Sequence, residues 1–193
     1  MHRRACLHTL AACTLACVAG GARAQSQASP PPEVSAELAG ARLQGRGRLR
    51  YFGLHVYDAR LWVGTDYPVA AVAREDYASH PLALELEYAR SLDGAKIAAR
   101  SIEEMQRAGP LPAAQAQAWL AFMQQAFPDV KNGDRITGVQ QPGEGLRFYV
   151  NGRAGGELRD AEFARRFIGI WLGEQTSQPA LRQSLLGGVR SAR

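Results

Sequence analysis

Apolar positions along this chain repeat with a period of two in some stretches and about 3.6 in others, and each switch marks a change of element. Leu82 to Arg90 alternates cleanly, with Leu82, Leu84, Leu86 and Tyr88 on one side and Ala83, Glu85, Glu87 and Ala89 on the other. The spacing predicts a strand with the leucine face buried and the two glutamates solvated. Arg48 to Phe52 and Leu54 to Val63 read as two strands split at Gly53, and Val34 to Leu43 is a weaker strand candidate. Tyr67 to His80 is mixed and has room for a short turn of helix. Asp93 then caps a helix predicted over 94–108, with Ile97, Ile102 and Met105 as its apolar stripe and Gly109-Pro110 as its stop. Pro112 opens a second helix to about Ala126, whose inner side carries Trp119, Leu120, Met123 and Phe127. Strands return over Arg135 to Gln140, Leu146 to Val150 and Arg153 to Leu158, joined by Pro142-Gly143-Glu144-Gly145 and by the tight-turn pair Asn151-Gly152. Asp160 caps a third helix from Ala161 to Leu172, closed by Gly173. Thr176 or Ser177 caps a fourth, with Pro179 in its first turn and Gly187 at its end. Strands, helices, strands, helices in that order predict an α+β fold, a mostly antiparallel sheet with helices packed on one face.

The first residues change the picture that composition gives. Met1-His2-Arg3-Arg4 is a positive start, Ala5 to Gly20 is mostly apolar, and Ala22-Arg23-Ala24 fits a small-x-small cleavage site. Residues 1–24 are therefore expected to be a secretory signal peptide, too short and wrongly flanked for a membrane span. A lipoprotein box at Leu10-Ala11-Ala12-Cys13, anchoring the chain at Cys13, is the minor alternative. Residues 25–33, with Pro30-Pro31-Pro32, are expected to be a flexible lead-in, and residues 34–190 one domain. All three cysteines, Cys6, Cys13 and Cys17, lie in the leader. The mature chain thus lacks thiols for disulfides, nucleophilic catalysis or metal thiolates, which suits a periplasmic or secreted location. Losing Arg3, Arg4 and Arg23 lowers the formal charge from +5 to +2. That balance argues against nucleic acid as a partner, and signal removal leaves no integral membrane segment.

Candidate chemistry concentrates between Gly45 and Val63. Arg46, Arg48 and Arg50 share one strand face, and three adjacent cations require water or an anion. The neighbouring strand is apolar and carries Tyr57, so the pair is read either as a wetted face or as a pocket for something acidic with an apolar body. The period leaves open which of the three arginines faces such a pocket. If Tyr57 faces it, His55, Ala59 and Leu61 share its side. Other sites are poorly supported. His55 and His80 are 25 positions apart, without ligand spacing for a metal. No serine is placed near either histidine for a triad, and Gly45-x-Gly47 lacks the helix start of a dinucleotide loop. No cofactor is expected. Phe163, Phe167, Ile170 and Trp171 fall at helical spacing and read as core first and cleft wall second. Arg182 is expected to pair with an acid.

Four segments together resemble the chalcone isomerase-like family, in its bacterial exported branch. They are Gly45 to Val63 (G-x-G-x-L-R … V-Y-D-A-x-L-W-V), Ala83 to Met105 (A-L-E-L-E-Y … S-I-E-E-M), Phe127 to Gly138 (F-P-D-V-K-N-G-D-R-I-T-G) and Phe163 to Gly187 (F-A-R-R-F-I-G-I-W-L-G-E-Q-T-S-Q-P-A-L-R-Q-S-L-L-G). The resemblance implies an open-faced sandwich, a broad antiparallel sheet with helices on one side and a ligand cleft between. It carries the family's cleft arginine onto Arg48, with Arg46 as the alternative, and its strand threonine onto Tyr57. The helix tyrosine falls at Ile97, the asparagine beyond it at Glu104, and the late Ser/Thr at Ser177, or Thr176 with a shifted gap.

Ring closure of a chalcone needs donors that polarise a ketone and hold a phenolate. Ile97 has nothing to donate, and an ionised Glu104 would repel a phenolate. No residue is therefore assigned a catalytic role. The family's fatty-acid-binding branch, which reads a carboxylate with an arginine and a tyrosine, is the nearer match. The expectation is a non-catalytic periplasmic binder of a small amphipathic, fatty-acid-like carboxylate, held by Arg48 and Tyr57 with help from Ser177. The alternatives are an intramolecular lyase acting on a chalcone-like enone and an envelope protein-interaction module. Oligomeric state is left open.

Overall fold

A computed structural model describes residues 28–65, 67–68 and 76–187. The expected leader, residues 1–24, lies outside the described residues. Six strands follow one another in a single antiparallel meander: β1 (Arg42–Tyr51), β2 (Leu54–Val63), β3 (Leu82–Tyr88), β4 (Arg135–Gln141), β5 (Gly145–Val150) and β6 (Arg153–Leu158). Two helices, α2 (Gly94–Met105) and α3 (Ala113–Ala126), are inserted between β3 and β4. Two more, α4 (Ala161–Leu172) and α5 (Pro179–Leu185), follow β6. Asp93 and Asp160 start α2 and α4 as read from the sequence: Asp93 accepts from the Lys96 amide, and Asp160 from those of Glu162 and Phe163. Arg182 meets a carbonyl instead of an acid, its Nε donating to the last turn of α4 at Leu172 O, 2.7 Å.

The inner sheet face is apolar. Ala59, Leu61, Leu84, Leu86, Ile136, Leu146 and Phe148 pack there against Met105, Met123, Phe163, Ile168 and Leu172 of the helices. The returning helix α5 lies so close to β1 that a Cβ on Gly45 would sit 2.2 Å from the Leu185 carbonyl oxygen, and one on Gly47 2.5 Å from a Leu181 methyl. That approach, rather than phosphate binding, explains the Gly45-x-Gly47 pair.

Several local expectations change on the opposite face. Val34 to Leu43 does not begin as a strand, because residues 32–37 form a short helix, α1 (Pro32–Glu37), opened by a proline at its first position. Helices α2 to α5 share the inner face as expected, and α1 is added on the other. Helix α1 covers the outer face, where Val34 and Leu38 pack on Trp62, Ala83 and Val139. Glu33, read as part of a flexible lead-in, is buried and binds Arg135 Nη2 at 2.8 Å and the Thr137 hydroxyl at 3.1 Å. Glu85 is likewise buried rather than solvated. It accepts from Trp62 Nε1 at 2.7 Å and Arg60 Nη1 at 2.8 Å. Charge on a strand hides well when cross-strand partners sit opposite, as Arg60 does to Glu85.

Candidate ligand cleft

The helices do not close completely on the sheet. At the end carrying the β1–β2 turn, a cleft of about 420 Å³ separates them. Its floor is Leu49 of β1, Val56 and Tyr57 of β2, Leu86 and Tyr88 of β3 and Ile136 of β4. Helix α2 contributes Ile97, Ser101 and Glu104, and α4 contributes Phe167, Ile170 and Trp171. Tyr51, Arg90, Lys96, Arg100, Ser177 and Gln178 stand around it.

Strand parity decides what enters. Leu49 and Tyr51 line the cleft, so their even-numbered neighbours do not: none of Arg46, Arg48 and Arg50 is part of it. Arg48 is half-exposed on the outer face, where its Nε and Nη2 meet the two oxygens of Asp58 at 2.7 and 3.2 Å. The expected cleft guanidinium is thus a surface pair with the residue directly across the ladder. A β-bulge adds a second correction. Leu49 pairs with Tyr57 and Arg50 with His55, which leaves Val56 extra. Val56 and Tyr57 both reach the cleft, whereas His55 turns to Asp58, 3.3 Å away, and does not share Tyr57's side.

Tyr57, Ile97, Glu104 and Ser177 do come together at the cleft. Thr176 does not line it. Its hydroxyl donates to Ile170 O at 2.7 Å and accepts the Gln178 amide at 3.1 Å, fixing the turn that presents Ser177 and Gln178. Glu104 is buried and ion-paired with Arg100 of its own helix and with Arg107 in the turn that follows it.

The residues that sequence reasoning missed are as informative. Tyr88 lies edge-on to Tyr57, ring centroids 5.9 Å apart. Trp171 donates its indole N–H to the Tyr57 oxygen at 2.9 Å. Among the described residues Tyr57 finds no acceptor for its own proton, and the Tyr88 hydroxyl has no hydrogen-bond partner. Burial pushes both phenols above their ordinary range, with the nearby Glu104 carboxylate adding to the rise at Tyr57. Both therefore remain protonated donors. Arg90 and Lys96 are exposed, and no acid pairs with either among the described residues. The alternation of β3 placed Tyr88 on the buried face, and the stripe of α4 placed Trp171. No sequence signal says that the core stops short of them.

A second hollow, about 680 Å³ and wide open, lies outside the bridge between Leu92 and Val130. Its carboxylates are engaged locally: Asp129 accepts from the Gly94 amide, Asp134 from that of Lys131, and Asp93 caps α2. No group of acidic, histidine and cysteine side chains among the described residues is arranged to hold a metal ion, and no helix there is long and apolar enough to cross a membrane.

Three comparisons bear on this architecture. A family model described as chalcone isomerase-like matches residues 22–187. An uncharacterized protein of Haemophilus influenzae is 32% identical over 111 residues, covering 58% of this chain and 54% of that protein. The chain thus matches about half the length of this curated relative. Among solved structures, the fatty-acid binding protein AtFAP1 of Arabidopsis thaliana superposes with a TM-score of 0.59 at 15% identity, over 77% of this chain and 87% of that one. At that identity the likeness is one of fold: an antiparallel sheet with helices laid across it.

Proposed function

We propose that this chain, which belongs to the chalcone isomerase-like family, binds a small amphipathic carboxylate in the cleft and does not transform it. The observation that carries the reading is an apolar cleft left open between well-packed layers, with two cations at its edge, Arg90 and Lys96, that meet no acid among the described residues. An apolar tail would fill the space over Leu49, Leu86, Ile136 and Phe167, gaining about 0.8 kcal/mol per buried methylene. The carboxylate would remain at the edge. Glu104 stands beside Tyr57 and repels an anion driven to the floor, and an unpaired buried carboxylate is costly. Arg90 and Lys96 offer charge-assisted donors where the head emerges. The phenols of Tyr57 and Tyr88 are donors for a polar group along the chain. That AtFAP1, of similar fold, is called a fatty-acid binding protein supports the same class of ligand.

Native mass spectrometry of the purified protein, followed by titration with fatty acids of rising chain length, tests the reading. Affinity should rise about fourfold per methylene until the cleft is full. Arg90→Glu with Lys96→Glu should weaken it about tenfold or more, on the scale of one or two charge-assisted bonds. Affinity that is flat with chain length, or indifferent to the double reversal, would defeat it. The proposal also places the chain in the periplasm, on the leader-like pattern of residues 1–24. Sequencing the protein recovered from a periplasmic fraction should begin at Gln25, and a protein retained in the cytoplasm with Met1 would contradict this.

A further inference from the structure

The β1–β2 turn stands beside the cleft and is built in an unusual way. Tyr51, Phe52 and Leu54 are 59, 88 and 55% exposed, the large apolar side chains most open to solvent among the described residues. Phe52 sits at φ 47°, a left-handed conformation that bulky residues avoid, and the Gly53 after it at φ 78°. Asparagine or glycine would relieve that strain, yet the position carries a phenylalanine facing water. Its ring meets Tyr51 edge-on, centroids 4.5 Å apart, so the two form one convex apolar wedge.

The surroundings of the wedge are cationic. Arg50 is tied to the turn through Gly53 O at 3.2 Å. Ala89 N donates to Val56 O at 2.9 Å, which brings the end of β3, and with it Arg90, alongside the hairpin. Lys96 stands across the cleft mouth that Tyr51 also lines. The acids of this end are already engaged: Asp58 by Arg48, Glu85 and Glu87 by Arg60, and Asp93 by the α2 amide of Lys96. Among the described residues Arg50, Arg90 and Lys96 have no acidic partner.

We propose that this hairpin docks the protein on an anionic lipid surface, with Phe52 and Leu54 entering the acyl boundary while Arg50, Arg90 and Lys96 meet the lipid phosphates. A protruding wedge of three side chains offers a folded partner too little area for a stable interface. A bilayer needs no matching shape, only apolar insertion and opposite charge. Because Tyr51 belongs to both wedge and cleft, docking sets the cleft mouth against the membrane. It does not require an occupied cleft.

Flotation of the purified protein with vesicles of phosphatidylcholine alone, and of phosphatidylcholine mixed with phosphatidylglycerol, reads this directly. Binding is expected on the anionic vesicles only and should fall as salt rises. Phe52→Asn with Leu54→Ser, which suits the turn's backbone, should lower it at least about tenfold. Arg50→Gln and Lys96→Gln should each lower it about fivefold. A Phe52→Trp variant should shift its emission to the blue with anionic vesicles. Ile97→Trp, which fills the cleft, should abolish fatty-acid uptake and leave flotation unchanged, so the two readings fail separately. Equal flotation of the wild type and the Phe52/Leu54 variant would overturn the docking surface. So would self-association that needs Phe52 in the absence of vesicle binding.

Discussion

The two faces of the sheet handle their polar groups in opposite ways. On the outer face every carboxylate under or beside α1 has an arginine: Glu33 with Arg135, Glu37 with Arg147, Glu85 with Arg60. Hydroxyl and indole donors join them, Thr137 to Glu33, Tyr149 to Glu37 and Trp62 to Glu85. On the inner face, among the described residues, the Tyr88 hydroxyl and the Tyr57 proton meet no protein acceptor at the cleft, and Arg90 and Lys96 meet no acid. Matched groups hold a structure together, and groups kept unmatched beside an open apolar space are available to a ligand. The charged face is thus the structural one, and the greasy face carries the proposed binding site, which inverts the usual instinct about arginine-rich strands.

Breaking the outer face should cost the most. Glu85→Ala strands the Trp62 indole and one Arg60 contact in a buried setting and should destabilise by about 3 kcal/mol in urea unfolding. The same logic separates the faces by pH. Tyr149, then Arg147, lowers the Glu37 carboxyl, and Arg48, then His55, lowers that of Asp58. Their stabilisation is complete above the ordinary carboxylate values of 4.5 and 3.8 and is lost as pH falls through the lowered ones. The cleft phenols are shifted upward, so their contribution is complete below the ordinary 10.0 and shrinks as pH rises beyond it. Urea midpoints against pH should show Glu37→Gln flattening the acid limb alone and Tyr57→Phe with Tyr88→Phe the alkaline limb alone. Exchange of those effects would erase the contrast.

A finer cut compares one hydroxyl from each face. Tyr149→Phe removes the bond to Glu37 and should cost about 1 kcal/mol, whereas Tyr88→Phe removes a hydroxyl with no partner among the described residues and should be neutral or slightly stabilising. At the weak end stands Arg48→Ala, which removes a solvent-exposed surface pair and should leave the urea midpoint nearly unchanged. Fatty-acid affinity should be unchanged in that variant.

The arginine case shows where sequence reading stops. Period-two spacing grouped Arg46, Arg48 and Arg50 on one face correctly, but spacing is blind to which face the helices cover. Leu49 and Tyr51, which do line the cleft, alternate with them and were equally visible. The bulge at Val56 was not legible, because one extra residue in an aromatic and branched run leaves the composition unchanged, yet it sends His55 to the outer face. The α+β order and the caps at Asp93 and Asp160 were legible, being local. Glu85 was misread as solvated, and Glu33 as the end of a flexible lead-in, since their partners, Arg60 and Arg135, arrive through pairing distant in sequence. Tyr57, Ile97, Glu104 and Ser177 converge on the cleft even though the cation expected to accompany them does not.

The most direct measurement is a crystal structure with a fatty acid brominated at its methyl end, located by anomalous scattering. The bromine is predicted to lie inside the cleft among Ile97, Ile136 and Phe167, with the carboxylate at Arg90 and Lys96. A bromine on the Arg46–Arg48–Arg50 face, or a carboxylate buried against Glu104, would contradict the account.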